Sequence, residues 1–145
     1  MAADRMFPIL SPIEAAVSFP HPRPSLPTVL VVDDEDIPRR VTARALSEQG
    51  YFVLVAHDGR EAWDLLQQAH EIVEAVVTDV RMPNMGGLEL AGLVATLPNA
   101  PPVVLISGYG PDKLSAGLPF LAKPFRPDQL VALVAQVLET SRPKH

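Results

Sequence analysis

Five short apolar runs, separated mostly by segments of a different period, constrain this chain more than any other feature. The runs are Thr28–Val32, Tyr51–Ala56, Ala75–Asp79, Pro102–Ile106 and Phe120–Ala122. They are short, rich in valine and isoleucine, and apolar at consecutive positions, as expected of strands buried on both faces. Helical patterns lie at Ile37–Gln49, Arg60–His70, Gly87–Leu97 and Pro127–Leu138. Pro38 opens the first helix, Gly50 follows it, and Pro98 halts the third. Ile37, Val41 and Ala45 share one face of the first helix. In the last helix Leu130, Leu133, Val134, Val137 and Leu138 recur at helical spacing. Strand and helix in alternation imply an α/β domain, a doubly wound parallel sheet with helices on both faces. Right-handed crossovers leave few topologies. In such sheets ligands gather at the carboxyl ends of the strands.

The 145 residues suffice for one domain with a short extension. Six of the 16 prolines precede Thr28, and Pro20-His21-Pro22-Arg23-Pro24 reads as a stiff linker. We therefore expect an extension at 1–27, a domain at 28–140 and a tail at 141–145. Ser11-Pro12-Ile13-Glu14 has capping-box spacing, so a short helix near 12–18 competes with a frayed tail, and the tail is favoured. Net charge is −5, which argues against nucleic-acid binding. There is no cysteine, so thiol chemistry, disulfides and zinc–thiolate sites are excluded. No apolar run approaches the ~20 residues of a membrane helix, and Phe7–Phe19 is interrupted by Pro8, Pro12 and Glu14. A cytoplasmic protein without membrane contact is expected.

The strand ends carry the chemistry. Asp33, Asp34, Glu35 and Asp36 follow the first strand; Asp79 ends the third, Ser107 follows the fourth, and Lys123-Pro124 follows the fifth. Alone, the acidic turn would read as a solvated helix start, Ser107 as a turn residue and Lys123 as a surface lysine. Together they would converge on one edge. Clustered carboxylates repel and raise one another's pKa, and a hard divalent cation such as Mg²⁺ relieves this. A carboxylate that meets both a metal and a lysine is suited to accept a phosphoryl group as an aspartyl phosphate. Gly-x-Gly-x-x-Gly, Walker A and Gly-x-Ser-x-Gly sequences are absent. His21, His57, His70 and His145 have no ligand spacing, and Trp63, Met82 and Met85 read as packing residues.

The motifs Val-Leu-Val-Val-Asp-Asp-Glu (29–35), Asp58-Gly59 with Glu61-Ala62, Val-Thr-Asp-Val-Arg-Met-Pro-Asn-Met (77–85), Ile-Ser-Gly-Tyr-Gly (106–110) and Leu-Ala-Lys-Pro-Phe (121–125) stand in that order. In this order the chain resembles the response-regulator receiver domains of two-component signal transduction, over about residues 28–140. The resemblance implies a flavodoxin-like five-stranded sheet of order 2-1-3-4-5. It implies that Asp79 is the phosphoacceptor and that Asp34, Asp79 and the backbone carbonyl of Arg81 bind Mg²⁺ (Mn²⁺ as the alternative), with Asp33 acting through water. Lys123 would pair with the phosphate, Ser107 and Phe120 would be switch residues, and Pro124 would follow a cis peptide. The donor would be a histidine kinase or a phosphotransfer protein, docking on the Ile37–Gln49 helix beside Pro124 and Phe125.

Two departures from the family stand out. Gly86 replaces a common aspartate and is expected to loosen the start of the third helix. Only the 12 residues Gly108–Pro119 separate the fourth and fifth strands, and they include three glycines and two prolines. The family's fourth helix is therefore expected to be shortened or absent. Ile9, Ile13 and Val17 could cover that gap. Arg81 and Tyr109, each two residues past a site residue, are expected to tune the lifetime of the acyl phosphate. The overall reading is a stand-alone regulator, monomeric or weakly dimeric, acting as a protein–protein switch and not as an enzyme. A relay or phosphate sink, and a phosphate-independent binding module, are the alternatives.

Overall fold

The structure is a computed structural model that describes residues 9–10, 26–108 and 117–141. Its elements in chain order are β1 (Ile9–Leu10), β2 (Thr28–Val32), α1 (Asp36–Ser47), β3 (Phe52–Ala56), α2 (Gly59–Ala69), β4 (Ala75–Asp79), α3 (Gly87–Val94), β5 (Val103–Ser107), β6 (Phe120–Ala122) and α4 (Pro127–Ser141). The strands form one parallel sheet in the order β1-β3-β2-β4-β5-β6. Without β1 this is the expected five-stranded order. The segment 109–116, for which a shortened or absent fourth helix is expected, and the possible helix at 12–18 lie outside the described residues.

The continuous apolar runs have a simple cause. Leu30 and Val32 of β2, Leu54 of β3, Val76 of β4 and Leu105 of β5 face α2 and α3, packing with Leu66 and Leu90. The alternate residues Val29, Val31, Val53, Val77 and Val104 face the other way, packing with Leu46 of α1 and with Leu130 and Val134 of α4. Each strand therefore feeds two cores, and the polar residues buried in them, Thr28, Thr78 and Ser107, lie at or next to strand ends. Trp63 is half-buried against the α2–α3 core, with Met82 beside it and Met85 inside it.

Helix α1 carries two periodic stripes, and only one of them faces the sheet. Its inward residues are Arg39, Thr42, Ala43, Leu46 and Ser47. The face shared by Ile37, Val41 and Ala45 turns outward: Ile37 and Val41 are 72% and 54% exposed, and Ala45 is half-buried. Arg39, Ala43 and Leu46 form an equally periodic stripe, and a hydrogen bond from Arg39 to the end of β2 turns that stripe inward. The third helix ends at Val94, three residues before the expected Leu97, because Ala95–Leu97 close a turn ahead of Pro98. Helix α4 runs to Ser141, past Leu138.

Ile9 is not near β6. Ile9 and Leu10 pair in parallel with Val53 and Leu54 at the opposite edge of the sheet. The open backbone donors and acceptors of the β3 edge explain this, since an added strand satisfies them. Ile13 and Val17 lie outside the described residues.

At the start of α2, Asp58 Oδ1 accepts from the Glu61 N–H at 2.8 Å, and Glu61 Oε1 accepts from the His57 N–H at 2.6 Å. Asp58 Oδ2 also accepts from Asn84 Nδ2 at 2.8 Å, tying the helix to the loop after β4. Burial acts to raise the Asp58 pKa, but the bonds from Glu61 and Asn84 outweigh it and hold the carboxyl below its ordinary 3.8. Such a group stabilises above its unfolded pKa, and the contribution is lost as pH falls through the folded value. Asp58→Ala is expected to cost about 1–2 kcal/mol at pH 7 in urea unfolding, with the deficit shrinking in strong acid.

Candidate functional site

Parallel register brings the site together. Val32 of β2 lies opposite Thr78 of β4, so the next residues, Asp33 and Asp79, leave adjacent strands side by side. Asp79 lies opposite Ile106 of β5, and Ser107 lies opposite Ala122 of β6, immediately before Lys123. Four neighbouring strands thus deliver Asp33, Asp34, Asp79, Ser107 and Lys123 to one edge.

Carboxylate oxygens of Asp33, Asp34 and Asp79 lie within 4.8 Å of one another. Asp33 is buried, Asp79 half-buried and Asp34 exposed. Lys123 Nζ approaches Asp79 Oδ1 at 3.1 Å. The Lys123 N–H donates to the Ser107 carbonyl at 2.8 Å, which fixes the base of that side chain. Ser107 is itself buried. The Lys123–Pro124 peptide is cis. Asp33 Oδ1 accepts from the Glu35 N–H at 2.9 Å, and the Asp33 N–H donates to the Ala56 carbonyl at 3.2 Å.

Burial pushes the Asp79 carboxyl above its ordinary value; Lys123 opposes this, while Asp34 and Glu35 add to it. Burial likewise pushes Asp33 up, against the Glu35 N–H and with the help of Asp79. Oxygen donors that are close, partly desolvated and short of counter-charge suit a hard divalent cation. The donor set therefore fits Mg²⁺.

The loop after β4 is held from several sides. Val80 N–H donates to the Ile106 carbonyl at 3.0 Å, and Gly87 N–H to the Val80 carbonyl at 2.9 Å. Gly59 N–H donates to the Met85 carbonyl at 3.1 Å. Arg81 lies on this loop with its side chain exposed. Gly86 caps α3 without a side-chain bond, yet the helix start is packed rather than loosened: Leu90 N–H reaches the Gly86 carbonyl at 3.0 Å. A Cβ at Gly86 would stand 2.8 Å from the Val80 carbonyl oxygen, so the close approach itself excludes the family's usual aspartate. Phe120 is half-buried against the α2–α3 core, and Phe125 packs on the other core beside exposed Pro124. Tyr109 lies outside the described residues.

Sequence reading missed Arg39, a buried guanidinium at the foot of the acidic turn, and the cap formed by Glu61 and Asn84 on Asp58 and His57. The Asp58–Glu61 spacing was a usable signal for the cap. The Asp36–Arg39 spacing marked an ion pair, but nothing local marked the bond from Arg39 to the Asp33 backbone carbonyl.

The family model described as the response regulator receiver domain matches residues 29–135. The sensor kinase CckA of Brucella abortus is 40% identical over 119 residues, covering 77% of this chain and 12% of that protein. The response regulator MprA of Mycolicibacterium vanbaalenii is 39% identical over 121 residues, covering 79% of this chain and 52% of that protein. The chain thus spans about half the length of MprA and a small part of CckA. Among solved structures, the receiver domain from the hybrid histidine kinase CckA superposes with a TM-score of 0.68 at 36% identity, covering 77% of this chain and 98% of that one. The Vibrio cholerae chemotaxis protein CheY4 gives a TM-score of 0.69 at 28% identity, covering 78% and 99%. Sheet order, the acidic edge and these matches agree, and the chain belongs to the response regulator receiver domain family of two-component signalling.

Proposed function

We propose that Asp79 accepts a phosphoryl group in a Mg²⁺-dependent reaction and that the modified domain acts by contact with other proteins. The observation that carries this reading is the 3.1 Å pairing of Lys123 with Asp79 inside a trio of carboxylates that lie within 4.8 Å. Asp34, Asp79 and the Arg81 carbonyl would hold the cation, with Asp33 acting through water, and the cation would neutralise charge on the phosphoryl oxygens. An Asp79 Oδ attacks phosphorus, an O–P bond forms, and the donor's N–P bond breaks with the electron pair going to the leaving imidazole. Lys123 then pairs with the added phosphoryl charge, and the Ser107 hydroxyl donates to one of its oxygens. The domain assists its own modification and turns over no separate substrate. The exposed Ile37 and Val41 on α1, close to the acidic turn, support docking of a histidine kinase or phosphotransfer protein there. We place this exchange in the cytoplasm. Among the described residues no helix is long and apolar enough to cross a membrane.

The test is intact mass after acetyl phosphate and Mg²⁺. Wild type is expected to gain one phosphoryl group and Asp79→Asn none. No gain in wild type, together with no binding of beryllofluoride, would overturn the reading in favour of a phosphate-independent module. On the same material, Arg81→Ala is expected to speed decay of the acyl phosphate several-fold, because a long side chain two residues beyond Asp79 restricts the approach of water. An unchanged decay rate would remove that role.

A further inference from the structure

Arg39 is 7% exposed, in a helix whose other charged residues face solvent. A guanidinium is costly to bury unless its hydrogen bonds are satisfied, and a buried ion pair is poor evidence of added stability. Its contacts are therefore informative. Nη1 donates to the backbone carbonyl of Asp33 at 3.0 Å, a buried bond. Nη2 donates to Asp36 Oδ1. Its own N–H donates to the Glu35 carbonyl at 3.0 Å. The last is an ordinary helical bond, and the guanidinium itself grips two of the four residues in the acidic turn. Arg40 holds Asp36 from the solvent side at 3.1 Å, so the anchor for the fork is itself fixed.

We propose that Arg39 is a positioning residue for the cation site. Its fork fixes the backbone where β2 gives way to α1, so that the Asp33 and Asp34 carboxylates stay converged on Asp79. The inference rests on the reading that these three carboxylates hold a divalent cation. It assigns Arg39 no contact with the metal or the phosphoryl group. Its geometry is that of a planar fork bridging a carbonyl and a carboxylate, which an ammonium cannot reproduce.

Charge and position predict opposite signs. Arg39 is a cation close to a site for another cation. If only its charge mattered, neutralising it would tighten metal binding. If it positions the turn, neutralising it weakens binding despite the relieved repulsion. A merely structural role would lower the unfolding temperature and leave affinity unchanged in the folded protein.

The test is Mn²⁺ binding to the full chain, followed by the electron paramagnetic resonance signal of free Mn²⁺, well below the unfolding temperature of each variant. Arg39→Met and Arg39→Lys are both expected to bind roughly 10-fold or more weakly, the range seen when a group orienting metal ligands is removed. Unchanged or tighter binding by Arg39→Met, or wild-type affinity in Arg39→Lys, overturns the proposal. Should Arg39→Met fail to fold, Arg39→Lys decides alone. Wild type that binds no Mn²⁺ would remove the metal reading and this inference together. Wild type that binds, with variants that bind equally, would remove only this one.

Discussion

Asp79→Asn is expected to raise the unfolding temperature of the metal-free protein at neutral pH. The carboxyl is pushed up by burial and by the neighbouring acids, and Lys123 offsets this only in part. Folding therefore holds a charged group where the neutral form is preferred. The sign follows from linkage: a carboxyl raised in the folded state favours folding while both states are protonated. That advantage is lost as pH rises from the ordinary value of 3.8 through the folded value. Asp33 is raised in the same way. Asp58 is lowered and works in the opposite direction, losing its contribution only in stronger acid. Stability of the metal-free protein should therefore peak on the acid side of neutrality. At pH 7 the substitution is expected to raise the midpoint measured by scanning calorimetry by several degrees, the change that about 1 kcal/mol produces in a domain of this size. The amide keeps an oxygen for Lys123, so the 3.1 Å contact is not simply deleted. Saturating Mg²⁺ should raise the wild-type midpoint and barely move that of Asp79→Asn, because a ligand stabilises only the state that binds it. A midpoint for Asp79→Asn at or below wild type would refute this account.

The same physics explains what was legible in the sequence. The apolar runs Val29–Val32 and Ala75–Val77 mark β2 and β4 because these strands are buried on both faces, and Asp33 and Asp79 stand at their carboxyl ends. Parallel strands in register then deliver whatever follows them to one edge. That is why Asp33, Asp79, Ser107 and Lys123 could be grouped with no coordinates at all. Which stripe of α1 faces inward was not legible. Ile37-Val41-Ala45 and Arg39-Ala43-Leu46 are both helical stripes, and the choice rests on the bond from Arg39 to Asp33, which periodicity does not see. Strand β1 was illegible for a related reason. Two residues carry no period, and their partners Val53 and Leu54 lie far along the chain. The tight start of α3 was misjudged because glycine at Gly86 was weighed as a weak cap, whereas it marks a close approach of two backbones.

That close approach gives the largest expected loss. Gly87→Ala would set a Cβ 2.3 Å from the Asp79 carbonyl oxygen and 3.1 Å from both the Asp79 carbonyl carbon and Val80 Cα. These are backbone atoms at the end of β4, with no side chain free to swing aside. Gly87 N–H already bonds the Val80 carbonyl at 2.9 Å, so α3 cannot slide without breaking the contact that seats it. Alanine should favour the helix by about 1 kcal/mol on propensity alone. Overpacking costs typically about 1–3 kcal/mol, and against backbone the upper end applies, so a net loss of about 2 kcal/mol is expected in denaturant unfolding. Gly92 in the same helix supplies the control. It is exposed, and a Cβ there meets nothing within 4 Å. Gly92→Ala is therefore expected to gain about 0.5–1 kcal/mol. The same change, five residues apart, should act with opposite sign. Because the clash falls on the residue that carries the proposed acceptor carboxylate, Gly87→Ala should also slow phosphoryl uptake from acetyl phosphate, and Gly92→Ala should not. Equal effects of the two substitutions on stability would mean that α3 yields to the extra methyl, and that glycine at position 87 does not hold Asp79 in place.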